Sequence, residues 1–94
     1  MAYEVFVRTD AGEYLPSPLP DEFKIELRAI LADIGNDPAI GRKPPCPPFA
    51  PHGKLVERWV DFNKSRHMLR VFYEVDVKRE QVGVTHISVQ PRPG

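Results

Sequence analysis

The side chains best suited to chemistry in this chain are arginines and histidines in strand-like segments of its second half. A guanidinium group fits the oxygens of a phosphate, and histidine exchanges protons near neutral pH. Side chains alternate across a strand, so every second residue lies on the same face of a sheet. We expect one face to collect Arg58, Arg70, His86, Ser88, Gln90 and Arg92. The simpler interpretation is the polar, solvated face that antiparallel sheets commonly have.

Three consecutive strands are predicted to carry these residues. They cover 55–62, 67–77 and 82–90, with polar turns at 63–66 and 78–81. Short links join antiparallel strands, so the three strands are predicted to form a meander.

Alternation also predicts which residues of the meander face inward. The inward set is Leu69, Val71, Tyr73, Val75 and Val77 in the second strand, and Ile87 and Val89 in the third. The first strand carries both apolar and polar residues on each of its faces. We expect Leu55 and Trp59 to face the core, which would place Arg58 on the outer face.

One strand and one helix are predicted before the meander. Residues 3–8 have the β-branched and aromatic content of a strand, and the prolines of 13–20 exclude a regular helix there. A helix is predicted from about residue 20 to Gly35, followed by the stop signal 36–38. Its apolar stripe, at helical spacing, is Phe23, Leu27, Ile30, Leu31 and Ile34. The predicted fold class is therefore α+β, in the order β-α-β-β-β, with an antiparallel sheet packed on one helix.

Composition restricts the class of protein. The 94 residues predict a single domain over 1–94, with thirteen basic residues balanced by thirteen acidic ones. The single cysteine, Cys46, excludes an internal disulfide and fits a reducing compartment. We find no apolar run long enough to span a membrane and no signal peptide at 1–5, so we expect a cytoplasmic protein.

The connector at 36–53 is rich in proline and includes Cys46 and His52. It is interpreted as a polyproline strap across the sheet or as a recognition loop. The spacing of Cys46, His52, His67 and His86 matches no metal-ligand pattern, and no glycine-rich phosphate loop occurs. We therefore expect no metal and no cofactor.

Several short segments carry a family resemblance. They are the N-terminal residues 1–5, the helix end at 34–38, and Leu69-Arg70-Val71-Phe72-Tyr73-Glu74-Val75-Asp76. The last resembles an aromatic-Arg-x-x-Tyr segment, with Leu69 in the aromatic position. The final strand, with Arg92 just beyond it, adds to the likeness. Together these features resemble the RelE/ParE superfamily of bacterial toxins.

The resemblance implies a small toxin of a type II toxin–antitoxin pair, with a cognate antitoxin as partner. The RelE-like branch acts on the ribosome and cuts mRNA, which inhibits translation. Arg70 and Arg92 match the family's arginines in the middle strand and after the last strand. For such an endoribonuclease, His86 is the candidate acid or base, and His67 is a possible second proton carrier. Arg58, Lys54, Lys64 and His67 are the candidates for further RNA contacts.

An alternative from another functional class stays open. The ParE-like branch inhibits DNA gyrase by binding it, and an inactive relative would bind only its antitoxin. The family's nucleases are usually basic, so the neutral charge of this chain favours a binding protein. The alignment of Arg70, His86 and Arg92 favours a nuclease.

Overall fold

The computed structural model describes residues 2–13, 15–43 and 53–91. Its elements form the predicted order of one strand, one helix and three strands, with a short 3-10 helix after the α-helix. The elements are β1 (Glu4–Val7), α1 (Asp21–Asn36), the 3-10 helix (Pro38–Ile40), β2 (Gly53–Phe62), β3 (Ser65–Asp76) and β4 (Gln81–Pro91). The prediction of an α+β fold with one helix is confirmed.

The sheet is mixed, and the prediction of an antiparallel sheet is wrong at one edge. The four strands lie in the order β1-β4-β3-β2, and β1 pairs with β4 in parallel. The reason is topological. Helix α1 carries the chain back along the sheet, so β2 runs in the same direction as β1. Strand β3 runs antiparallel to β2, and β4 runs antiparallel to β3, which gives the predicted meander. The chain direction has then reversed twice after β2, so β4 runs parallel to β1.

Helix α1 packs on the sheet with the predicted stripe. Phe23, Ile30 and Ile34 are buried, and Leu27 and Leu31 pack partly buried against the core. Two acidic residues lie in its first turn, where their negative charge interacts favourably with the positive end of the helix dipole. Residues 36–43 of the predicted connector contain the 3-10 helix, whereas Cys46 and His52 lie outside the described residues.

The inner face of β3 and β4 follows the prediction with one correction and one irregularity. Leu69, Val71 and Tyr73 are fully buried, as is Val84 in β4. Val77 was expected on this face, but it lies beyond the end of β3 and is 70% exposed. The register between β3 and β4 shifts after Phe72, which pairs with His86, while Tyr73 pairs with Val84. Thr85 is therefore an extra residue, and apolar residues of both parities in β4 reach the core.

Leu55 is buried as expected, but it lies on the face turned away from the helix, and the predicted facing of β2 is wrong. Val56 and Val60 face the helix and are buried, whereas Trp59 is 47% exposed. The cause is the two-residue turn at 63–64, whose residues both have positive φ, as tight hairpins require. This turn pairs Phe62 with Ser65 and hence even-numbered residues of β2 with odd-numbered residues of β3. Because the odd residues of β3 form the core, the even residues of β2 do so as well.

Candidate active site on the open face of the sheet

The sheet face turned away from α1, here called the open face, carries three neighbouring rows of paired residues. Each row consists of one residue from β2, one from β3 and one from β4 that are paired across the sheet. The rows are Leu55–Phe72–His86, Glu57–Arg70–Ser88 and Trp59–Met68–Gln90. The middle row places a carboxylate, a guanidinium group and a hydroxyl side by side.

Glu57 is the centre of the most strongly charged contact on this face. Arg70 Nε donates to Glu57 Oε2 at 2.9 Å, and Arg42 Nη2 donates to Glu57 Oε1. The Glu57 side chain is only 15% exposed. The hydrogen bond from Arg42 lowers the pKa of Glu57, burial works against that shift, and Arg70 adds to it. Glu57 is therefore ionised at neutral pH, and these three residues, here called the Glu57 cluster, carry one net positive charge.

Arg42 reaches this cluster because the chain after α1 is fixed to the sheet. Tyr73, fully buried, donates its hydroxyl hydrogen to Pro38 O at 2.7 Å and accepts from Gly41 N–H at 2.9 Å. A Cβ at Gly41 would collide with that hydroxyl. The next residue, Arg42, exchanges backbone hydrogen bonds of 2.9 and 2.8 Å with Leu55 at the outer edge of β2. A core tyrosine thus anchors the backbone segment that leads to Arg42.

His86 lies one row from the Glu57 cluster and diagonal to Arg70. It is exposed, and its ring meets that of Phe72 edge-on, at 6.1 Å and 86°. Its Nδ1 lies 3.4 Å from Thr85 Oγ1. Thr85 is the extra residue of the bulge, so the irregularity that realigns β4 also sets the surroundings of His86.

The predicted sharing of one face by Arg70, His86, Ser88 and Gln90 is confirmed by the register. Arg58, which we expected beside them, instead faces α1. Its guanidinium group pairs with Asp33 at 2.9 Å and with Glu26 at 3.5 Å, both on the helix. The even-length turn that reverses the facing of β2 is the cause. Arg92 lies outside the described residues.

The other three predicted site residues do not reach the Glu57 cluster. His67 faces the helix, with its ring 5.5 Å from that of Phe23, and its buried Nδ1 has no hydrogen-bond partner within the described ranges. Lys54 pairs with Tyr73 and follows the inward parity of β2. Lys64 lies in the turn between β2 and β3 and is exposed. These placements follow from strand parity and turn position.

Sequence reasoning missed Glu57 and Arg42. Glu57 was within reach, because a four-residue turn at 63–66 would also pair even residues of β2 with odd residues of β3, and this places Glu57 on the open face. Arg42 carried no such signal. Its contact with Glu57 spans the connector and depends on the Tyr73 hydroxyl, which no periodicity reveals.

Over residues 2–13, 15–43 and 53–91, no three metal-binding side chains come close enough together to hold an ion. In the same part of the chain, no helix has the length and apolar character needed to cross a membrane. Comparison with protein-family models, with curated proteins and with solved structures gave no match to this chain.

Proposed function

We propose that this chain is a RelE-like toxin, a ribosome-dependent endoribonuclease that cuts mRNA and inhibits translation. The observation that supports the proposal most strongly is the row Glu57–Arg70–Ser88 with His86 diagonal to Arg70. It supplies an ionised carboxylate, a guanidinium group and an imidazole on one open surface. The sequence resemblance to the RelE/ParE superfamily is what points to mRNA as the substrate.

In the proposed reaction a ribose 2′-oxygen attacks the adjacent phosphorus. The new 2′-O–P bond forms as the P–O5′ bond breaks, leaving a cyclic phosphate and a free 5′-hydroxyl. Glu57 accepts the proton of the 2′-hydroxyl, and His86 donates a proton to the departing 5′-oxygen. Arg70 and Arg42 lie where they can offset the negative charge that builds up on the phosphate oxygens.

The order of the three groups across the sheet suits this reaction. Attacking and leaving oxygens lie on opposite sides of phosphorus in an in-line displacement, so the base and the acid must approach from two sides. Glu57 is on β2 and His86 on β4, whereas Arg70 lies between them on β3. Strands are spaced by about 4.8 Å, so the base and acid come from strands roughly 10 Å apart with the cation in the middle.

The test is induced expression in a bacterial host, with primer extension on a translated reporter message. Growth arrest with new cuts inside codons is expected for the wild-type chain and not for Glu57→Gln. Glu74→Gln is the matched control. Glu74 is also a carboxylate on the open face, but it is exposed on β3 two rows from the Glu57–Arg70 pair. Growth arrest with an intact message would overturn the proposal that the chain is a nuclease.

A binding protein is the second candidate, and one observation favours it. Arg70 and Arg42 already share a carboxylate, so a phosphate must compete with Glu57 for both guanidinium groups. In that case the open face would grip a protein, either DNA gyrase or a segment of the antitoxin. Filamented cells with intact messages would point to gyrase. A chain that causes no arrest would point to an inactive relative that binds its antitoxin.

A further inference from the structure

Trp59 is the single tryptophan of the chain, and it lies on the open face in the row next to Glu57–Arg70. It is 47% exposed, although burying an aromatic ring of this size is among the largest apolar gains a residue can make. The Arg66 guanidinium carbon lies 5.9 Å from the centre of its ring. An exposed indole beside a cation is an arrangement suited to a stacked, negatively charged ligand.

We infer that Trp59, together with Arg66, forms a stacking subsite for a base of single-stranded RNA next to the phosphate that is cut. The inference rests on the proposed function, because the Glu57 cluster defines the scissile phosphate. Trp59 is two residues from Glu57 on the same face, a step of about 6.6 Å along the strand. A step of this size matches the distance between successive phosphates of an extended strand, so one nucleotide reaches from the Glu57 cluster to the indole.

The surroundings of Trp59 favour a base over an apolar protein surface. Trp59 pairs with Met68, and polar residues surround that pair: Gln90 lies beyond Met68 in the same row, and Asp61 and Arg66 form the next row. A polar rim around one aromatic ring is typical of stacking sites for single-stranded nucleic acid, where the base covers the ring and arginines contact the backbone. Arg66 also pairs with Asp61 at 3.3 Å, which keeps its guanidinium near the indole.

The single tryptophan makes the subsite directly measurable. The probe is a short RNA in which every ribose is 2′-O-methylated, which removes the attacking hydroxyl and prevents cleavage. Its counterpart has the same phosphates and no bases. We expect the RNA with bases to quench the fluorescence of Trp59 and the abasic strand to leave it nearly unchanged. Equal quenching by both strands, or none by either, would overturn the inference.

Affinity for a labelled copy of the same RNA gives a second measurement. Trp59→Ala is expected to raise the dissociation constant about five- to hundredfold, and Trp59→Phe much less, because a phenyl ring still stacks. Phe6→Ala is the matched control. Phe6 is 50% exposed and pairs with Gly83 at the other edge of the sheet. An unchanged affinity in Trp59→Ala, with a fold confirmed by circular dichroism, would contradict the subsite.

The two proposals fail in different ways. If the chain cuts no message in cells but Trp59 responds only to RNA with bases, the nuclease is wrong and the stacking subsite stands. If messages are cut and Trp59→Ala binds RNA as tightly as the wild-type chain, the nuclease stands and the subsite is wrong. Loss of binding to a partner protein in Trp59→Ala, with RNA affinity unchanged, would assign the indole to a protein interface and overturn the inference.

Discussion

Glu57 and Arg58 are neighbours in β2 and point to opposite faces of the sheet. Each lies at the centre of a cluster of charged side chains, and the two clusters have opposite compositions. Arg58 is held by two carboxylates, Glu26 and Asp33, both on α1. Glu57 is held by two guanidinium groups, from Arg42 and Arg70. One cluster therefore carries a net negative charge and the other a net positive charge, within a chain whose charges sum to zero.

The two clusters differ in what covers them. Helix α1 lies over Arg58 and supplies both of its partners, so that cluster fixes the helix to the edge of the sheet. Helix α1 packs on the other face of the sheet from Glu57, whose partners come instead from β3 and from the segment after the 3-10 helix. Total charge hides this separation, because alternation along β2 sends Glu57 and Arg58 to different faces, and the even-length turn sets which of the two faces the helix.

The largest effect is expected when the same substitution is made in each cluster. Arg70→Gln should lower mRNA cleavage about a hundredfold or more, because the guanidinium group offsets charge that develops only as the phosphate reacts. Arg58→Gln should leave cleavage unchanged and lower the free energy of unfolding by less than about 1 kcal/mol, as half-exposed ion pairs do. Cleavage is measured by primer extension and stability by urea unfolding.

Each variant serves as the control for the other, since both remove one guanidinium group from neighbouring strands. Equal loss of cleavage in the two variants would show that stability, and not position on the open face, governs activity. A fully active Arg70→Gln protein would contradict the proposed role of the Glu57 cluster in cleavage.

Tyr73→Phe tests how the core positions the open face, with an effect of intermediate size. The substitution leaves the Pro38 carbonyl and the Gly41 N–H without their partner, at a cost of about 1–3 kcal/mol in the free energy of unfolding. Because Gly41 precedes Arg42, cleavage should also fall by more than the loss of folded protein explains. Urea unfolding and a cleavage assay on the folded fraction measure both. A Tyr73→Phe protein that matches the wild type in stability would contradict this account.

The helix and the inner face of β3 were predictable because their apolar spacing is unambiguous. The facing of β2 was not evident from its own residues, since Leu55 and Trp59 are as apolar as Val56 and Val60. It follows only when the parity of β3 is carried through the turn. The direction of β1 likewise follows from the crossover and not from any residue of that strand.

The candidate site was predictable only where it lies within the meander. Arg70 and His86 follow from parity because both lie on the same side of the bulge: the extra residue Thr85 precedes His86, so 86–90 keep the predicted alternation. The contact between Arg42 and Glu57 joins residues fifteen positions apart across the connector. Such contacts depend on tertiary packing, here on the hydroxyl of Tyr73, and sequence periodicity carries no information about them.

The smallest expected effect concerns the pH dependence of the Glu57 cluster. Its arginine partners lower the pKa of Glu57 below the ordinary value of 4.5. A carboxylate with a lowered pKa stabilises the folded state above its unfolded pKa, and this contribution is lost as the pH falls through the folded pKa. Glu57→Gln should therefore be less stable than the wild type at pH 7, by about 1 kcal/mol since Arg42 is 60% exposed. The difference should vanish as the pH falls below the lowered pKa.

Urea unfolding at neutral and acidic pH measures this difference, and Arg42→Gln sharpens it. Arg42 is the largest cause of the lowered pKa, ahead of Arg70. In an Arg42→Gln background the pH-dependent cost of Glu57→Gln should shrink, and in an Arg70→Gln background it should shrink less. A cost that stays constant down to pH values far below 4.5 would mean that Glu57 acts by packing and not by charge. That result would also weaken its role as the base, because a base must be ionised before it can accept the proton of the 2′-hydroxyl.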